Sequence, residues 1–385
     1  MFLSIWNSPL ALLNLLSDPH FPDMRFVPWR YLSRHIAGSS PRSKLTLTLE
    51  QFRDQYFVPG LPLIIERDQQ SCSNPQDSLS PSFPKVHSLW FNNSRCGSAV
   101  LSEAAEAVTP EKTCLSEGQI GPRLQQDAVA SAYLPYELMF SPLDLDILQE
   151  FSLWIRTLKD DEHAAWIADA VAEALSAEGS LPGNDDAGGT RMVRFEAPLR
   201  LLSLACSFNK ARSRSRDSTQ MRRLYIAQAP ISDLPLELQG DLPVPELVLR
   251  AGKGDIYSTS IWMGLAPTYS PWHRDPNPNL FHQLHGGKTF RIMPPVPGEQ
   301  VFREAQSRIG LASNPRIRTM GMFQGAETSA LHEAIWGPTS GRLSGLLEAR
   351  LCPGTSLFLP KGWWHSVQSE SEDGTLNASV NFWFR

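Results

Sequence analysis

Ser270-Pro-Trp-His-Arg-Asp-Pro-Asn-Pro-Asn-Leu-Phe281 is the stretch on which both the fold and the chemistry turn. His273 and Asp275 are two apart near a strand end, so their side chains project the same way. Pro271, Pro276 and Pro278 stiffen the loop and keep those side chains from wandering. The triplet alone is weak evidence. With nine histidines and 40 acidic residues in 385 positions, about one His-x-Asp/Glu is expected by chance, and one occurs. Its weight comes from a second stretch, Phe358-Leu-Pro-Lys-Gly-Trp-Trp-His-Ser366, which brings His365 in just after an apolar run and before the final one. A third ligand carried on a separate antiparallel strand is the order a jelly-roll site requires. Two imidazoles and one carboxylate on one face of a ferrous ion leave positions open for an oxidising co-substrate and oxygen. A structural metal site would be closed, usually by four ligands.

The flanking sequence favours the same architecture. Thirty-one prolines and eleven tryptophans suit a loop-rich, aromatic-lined β fold better than a helical bundle. Short apolar runs bounded by turn residues fall at 191–195, 199–206, 224–228, 256–263, 280–284, 289–293, 356–359 and 378–384, the pattern of an antiparallel barrel or jelly roll. Upstream, 50–57 reads as a short helix ended by Pro59-Gly60, and 61–65 as a buried strand. The best helical stretch is 143–177, with an apolar stripe through Trp166, Ile167, Ala170, Val171 and Leu175 that serves core packing. The Pro- and Gly-punctuated 294–350 segment reads as an insertion with a helix near 301–309. The 71–84 and 183–189 segments read as loops.

Bulk numbers exclude more than they assert. The chain is 42% hydrophobic and 19% charged, an ordinary globular balance, and its net charge of −5 gives no hint of a nucleic-acid or anionic-membrane partner. Five scattered cysteines with no Cys-x-x-Cys pair argue against a disulfide framework or zinc ribbon and for a reducing compartment. The apolar Leu10–Leu16 run is too short to span a bilayer. Residues 24–49 are basic and acid-free, so mitochondrial import stands beside cytoplasm or nucleus, although a folded arm is the plainer reading. Lys210, Arg212, Arg214, Arg216, Arg222 and Arg223 read as a solvated loop between two strands. Asn92 and Asn377 open Asn-x-Ser triplets that read as accidental. His282 and His285 read as packing or turn residues sooner than as ligands. Alternation puts Lys288 on a face with Phe290, and a lysine facing a barrel interior needs an anion. The same alternation allows Lys288 to point to solvent.

Residues 223–228, Ser270 to Pro295 and Pro353 to Phe384 together resemble the jumonji C (JmjC) cupin-like 2-oxoglutarate oxygenases, nearest to hydroxylases like the factor-inhibiting-HIF asparaginyl hydroxylase. Residues 50–65 resemble that family's first helix and strand. The resemblance implies a mainly β fold with helical additions: a double-stranded β-helix of the jelly-roll or cupin type with N-terminal helices and a helical insert. It implies a catalytic domain over 46–385, with inserts at about 71–190 and 296–350, behind an arm at 1–45. Carried onto this chain, it makes His273, Asp275 and His365 the Fe(II) ligands and pairs Lys288 with the C5 carboxylate of 2-oxoglutarate. Tyr225 and Ser270 match assisting hydroxyls, Asn279 and Asn381 match amides of the pocket, and Trp383 and Trp262 match its aromatic walls. Trp363 and Trp364 would exclude water or simply fill core. Arg274 and the 71–190 segment depart from the pattern, which leaves substrate recognition open.

The cofactors so implied are Fe(II), 2-oxoglutarate and O2. A protein or peptide side chain is the first substrate class, giving a hydroxylase; RNA, a small metabolite or a methylated lysine could serve the same iron centre. A cupin-like binding module is the non-enzymatic alternative, and an intact triad with Lys288 argues against it. No membrane partner is implied, and the sequence does not bear on oligomeric state.

Overall fold

A computed structural model describes residues 48–66, 81, 83–92, 100–103, 119–158, 163–176, 190–213, 219–310 and 325–385. Every described residue lies in one compact unit, Ser40–Arg385. The arm at 1–45, the Gly183–Gly189 loop and Arg214 and Arg216 lie outside the described residues.

The strands in chain order are β1 (Leu63–Ile65), β2 (Phe91–Asn92), β3 (Val100–Glu103), β4 (Gln119–Ile120), β5 (Tyr133–Phe140), β6 (Arg191–Pro198), β7 (Leu224–Pro230) and β8 (Ile256–Leu265), then β9 (Tyr269–Arg274), β10 (Asn279–His285), β11 (Lys288–Met293), β12 (Leu347–Leu351), β13 (Ser356–Leu359), β14 (Trp364–Ser369) and β15 (Leu376–Phe384). They form an eight-stranded sheet in the order β1-β13-β10-β15-β8-β7-β5-β6 and a five-stranded sheet in the order β3-β12-β11-β14-β9, with β2 and β4 as a separate pair. Neighbours are antiparallel throughout, and chain-distant strands lie side by side, as a jelly roll requires. The mainly β, cupin-type architecture expected from the sequence is the one observed.

Alternation sorts each strand into two faces. On β10, Leu280 and Leu284 join the large apolar core on the outer side of the eight-stranded sheet, while Asn279 and Phe281 turn the other way. On β15, Ala378, Val380, Phe382 and Phe384 enter the same core, which frees Ser379, Asn381 and Trp383 for the opposite face. Phe52, Phe83 and Trp90 cover that core from outside. Behind the five-stranded sheet, Trp272 and Trp364 stack at 5.9 Å and pack with Phe302, Leu331 and Ile335 from the helices Pro295–Arg308 and Ala326–Trp336. The helix expected near 301–309 is therefore present, and longer.

Several expectations are corrected. Residues 199–206 are not a strand but the first part of the helix Arg200–Arg212. Leu201, Leu202, Ala205 and Phe208 recur at helical spacing and are buried together, a period hidden within a dense apolar run. The basic run thus starts on a helix rather than between two strands, with Arg212 bonded to Glu150 and Arg222 near Asp144. The 143–177 stretch is two helices, Leu145–Arg156 and Ala164–Ser176, because the intervening 159–162 is all charged and cannot continue an apolar stripe. Ile167 and Val171 are buried, but Trp166 is 41% exposed and meets Tyr133 at 5.3 Å. Within the 71–190 segment, β5 is a full member of the larger sheet, held between β6 and β7. Cys352 is disulfide-bonded, against the expectation of a fully reduced chain, whereas Cys206 is a free thiol pushed up to about 12 by burial. Asn377 is buried and donates to Gly287 O, so it is no glycosylation acceptor. No helix among the described residues is long and apolar enough to cross a membrane.

Candidate metal centre and co-substrate pocket

β9 and β14 are partners, and their register sets His273 directly opposite His365, with ring centroids 4.1 Å apart. Asp275 follows one residue after β9 ends, so its carboxylate reaches back to the same point. His273 Nε2 lies 3.9 Å from Asp275 Oδ1, and His365 Nε2 lies 3.8 Å from Asp275 Oδ2. The three ligand atoms fall within 4.8 Å of one another, the one such group among the described residues.

The donor set fits a divalent transition metal. His273 Nδ1 sits 2.7 Å from Pro271 O and His365 Nδ1 sits 3.2 Å from Trp363 O. A carbonyl only accepts, so each Nδ1 carries the proton and each Nε2 offers its lone pair toward the cluster. Burial, and then the neighbouring His365, push His273 down to about 4, which keeps it neutral and able to ligate. Metal bonds of about 2 Å put neighbouring donors roughly 3 Å apart, so an ion would draw these groups in by less than 1 Å.

Asp275 does not stand alone. Trp383 Nε1 donates to its Oδ2 at 2.8 Å, and Asn279 Nδ2 donates to the same oxygen at 3.2 Å. Asn381 Nδ2 donates in turn to Asn279 Oδ1 at 3.1 Å. The register of β10 on β15, Asn279 opposite Trp383 and Phe281 opposite Asn381, builds this chain into the sheet. Trp383, expected as an aromatic wall, is a hydrogen-bond donor to a ligand carboxylate.

The second polar group inside the barrel centres on Lys288, which is 4% exposed. Its Nζ donates to Tyr225 Oη at 3.0 Å and to Ser379 Oγ at 3.1 Å, and lies 5.4 Å from the centre of the Phe281 ring. The interior placement is the one observed, not the solvent-facing alternative. Burial pulls the ammonium down to about 7, and its two hydrogen-bond partners in the pocket are neutral hydroxyls. Burial also raises the Tyr225 phenol, with Glu137 adding to the effect, so Tyr225 stays protonated. Gly264 lies opposite Tyr225, and a Cβ there would meet Tyr225 Cα at 2.6 Å, so glycine permits the close approach of β7 to β8. The turn into β11 is fixed by Gln283 Nε2, which donates to His285 O at 2.7 Å and Gly286 O at 3.1 Å.

The remaining expected residues divide. Trp262 stands beside Tyr225, ring centroids 6.2 Å apart. Ser270 is half-buried on β9 and accepts at its backbone carbonyl from Ser366 Oγ at 2.7 Å, while Ser379 is the hydroxyl against Lys288. Sequence reasoning missed Ser379, although strand alternation from Asn381 puts it on the same face. Trp363 donates to Gly60 O at 3.0 Å and Trp364 to Pro295 O at 3.1 Å. Trp364 is therefore core behind the site, not its lining. His282 and His285 are packing residues on the outer face: His282 bonds Ser356 Oγ at 2.7 Å and approaches His87, and His285 stacks on Phe91 at 4.6 Å. Burial, with His87 nearby, pushes His285 down to about 4.

The cupin-like domain family matches residues 167–385, more than half of the chain. Similar proteins include Lysine-specific demethylase JMJ30 of Arabidopsis thaliana, 27% identical over 173 residues that cover 45% of this chain and 36% of the relative. Lysine-specific demethylase 8 of Danio rerio is 28% identical over 162 residues, 42% of this chain and 36% of the relative. JmjC domain-containing protein C of Dictyostelium discoideum is 25% identical over 169 residues, with the same two shares. The chain thus matches little more than a third of the length of these relatives. Fe(II), 2-oxoglutarate and O2 are the cofactors that go with this kinship and with a two-histidine, one-carboxylate donor set. The chain belongs to the cupin-like domain family, in its JmjC branch.

Proposed function

We propose that this protein is a dioxygenase that hydroxylates a protein side chain, with its catalytic domain over 46–385 and inserts at about 71–190, which contributes β5 to the larger sheet, and 296–350. The observation that carries the reading is the pairing, inside one barrel, of a cation-seeking triad with a buried lysine that has only hydroxyl partners in the pocket. His273, Asp275 and His365 hold Fe(II). Lys288, protonated when the co-substrate arrives, binds the C5 carboxylate of 2-oxoglutarate. Tyr225 and Ser379 orient that ammonium, and Ser270 and Trp262 complete the pocket walls. The Fe(II) and 2-oxoglutarate pair supplies the oxidising chemistry: one atom of O2 enters a substrate C–H bond to give C–OH, the other enters succinate, and CO2 leaves.

The protein's part is position and protonation state. The two imidazoles ligate through Nε2, while their Nδ1–H groups are fixed on backbone carbonyls. Phe281 and Phe290, in edge contact at 4.7 Å, give the pocket an apolar side that keeps water from competing for Lys288.

Lysine demethylation is the second reading, favoured by the names of two relatives. It uses the same step on an N-methyl carbon, after which the hydroxymethyl group leaves as formaldehyde. Mass spectrometry of a cell lysate treated with the enzyme separates these readings. Peptides that gain one oxygen support side-chain hydroxylation. Lysines that lose a methyl group support demethylation, and nucleosides or metabolites that gain oxygen would turn the assignment away from protein. Fe(II) and 2-oxoglutarate binding without succinate production would leave a binding module.

A further inference from the structure

We infer that the cleft between the helix Arg200–Arg212 and the β2–β4 pair is a second binding site, which takes a small organic anion with an apolar body. The cleft has a volume of about 430 Å³, within the range of small-molecule sites. The helix sets its chemistry. Leu201, Leu202, Ala205 and Phe208 bury one side in the large core, so the cleft lies across the eight-stranded sheet from His273 and Lys288. Arg200, Ser203, Ser207 and Lys210, three or four residues apart, share another side and line the cleft. Arg200 and Lys210 therefore stand at the two ends of a wall roughly 15 Å long. Between them, Ser203 Oγ is buried and makes no hydrogen bond, although buried hydroxyls are ordinarily satisfied. Across the cleft, Ile120 and Ala130 present buried apolar surface.

Charge decides what fits. Among the described residues no Asp or Glu lines the cleft, in a chain whose 40 acidic residues outnumber its 35 basic ones. Arg200 does meet the Asp127 carboxylate at 3.1 Å, but that side chain is 96% exposed and such a pair is worth little against a competing anion. Two cations, an unsatisfied hydroxyl and an apolar wall ask for an acid group and hydrocarbon in one ligand. Cys206 lines the same cleft as a free thiol. Burial holds it protonated, so it is no nucleophile at neutral pH and the cleft binds without reacting.

Fluorescence titration of the full chain with anilinonaphthalene sulfonate, an aromatic body with one acid group, tests this. Phenylnaphthylamine, the same body without the acid, should bind about tenfold more weakly. Arg200→Ala and Lys210→Ala should each weaken the sulfonate roughly threefold to fivefold, the scale of a partly exposed ion pair, and leave phenylnaphthylamine unchanged. Ser207 is exposed on the helix, so Ser207→Trp should fill the cleft without disturbing the fold and weaken both probes by about tenfold or more. Bound sulfonate should slow alkylation of Cys206, read by peptide mass spectrometry, and Lys288→Ala should bind it as the wild type does. Decanoate and decyl phosphate should displace it where inorganic phosphate does not. Equal affinity for the two probes, or Cys206 alkylation that the sulfonate does not slow, would overturn the inference. So would loss of the probe in Lys288→Ala, which would put it in the barrel, or displacement by inorganic phosphate but by neither alkyl acid.

Discussion

The barrel interior holds two buried polar groups with opposite deficits. At one end, two imidazoles and one carboxylate point at a common centre. At the other, one amine is surrounded by hydroxyls and aromatic rings. Protein interiors satisfy their polar groups, so a cluster of converging ligand atoms and a buried cation whose hydrogen-bond partners among the described residues are hydroxyls both mark places for something else. The first asks for a cation and the second for an anion. The contrast also separates how each end is held: the metal end by hydrogen bonds onto the ligands, the lysine end by burial and a braced turn.

Substitutions should break the two ends independently. Asp275→Ala has the largest effect, removing the one charged ligand, and measurable Fe(II) binding should be lost in anaerobic titration. Lys288→Ala should leave Fe(II) affinity unchanged and weaken 2-oxoglutarate roughly 30-fold or more, since losing one partner of a buried charged pair costs about 2–5 kcal/mol. Equal loss of both ligands in that variant would collapse the distinction between the ends.

The lysine end should also carry a pH signature the metal end lacks. Lys288 is lowered from 10.5 to about 7 by burial, and a carboxylate partner favours the protonated form. Binding of 2-oxoglutarate above that pH should take up a proton, and affinity should fall as pH rises, approaching about tenfold per unit. Calorimetry in buffers of different ionisation enthalpy measures the uptake; a pH-independent affinity from 7 to 9 would show the amine already charged in the free protein. For the free protein the sign is reversed: between about 7 and 10.5 the unfolded chain binds the extra proton, so this group adds stability as pH rises. The smallest change is Tyr225→Phe, which deletes one neutral hydroxyl beside Lys288 and should weaken 2-oxoglutarate by about fivefold, near 1 kcal/mol.

The two ends were not equally legible in the sequence. His273, Asp275, His365 and Lys288 are ionisable residues at fixed spacing on turn-bounded strands, and those patterns survive in one dimension. The family resemblance supplied Asn381, and strand alternation from it left Ser379 available to the same reasoning. What Trp383 does was hidden, because an indole can be a wall or a donor and only the β10–β15 register shows which atom it meets. Residues 199–206 misled for a different reason: consecutive leucines satisfy a strand and a helix alike, and burial of Leu201, Leu202, Ala205 and Phe208 on one side decides for the helix. The Cys352 disulfide has no local signal, since cysteine spacing does not encode which chain segments meet.

The most direct test is an anaerobic titration of the full chain with Fe(II) and then 2-oxoglutarate, followed by admission of oxygen and measurement of succinate. The wild type should bind both ligands and release succinate, Lys288→Ala should bind iron but need far more 2-oxoglutarate, and His273→Ala should do neither. Iron binding that survives His273→Ala and Asp275→Ala, or the absence of succinate from the fully loaded wild type, would contradict the assignment of this barrel as an oxygenase centre.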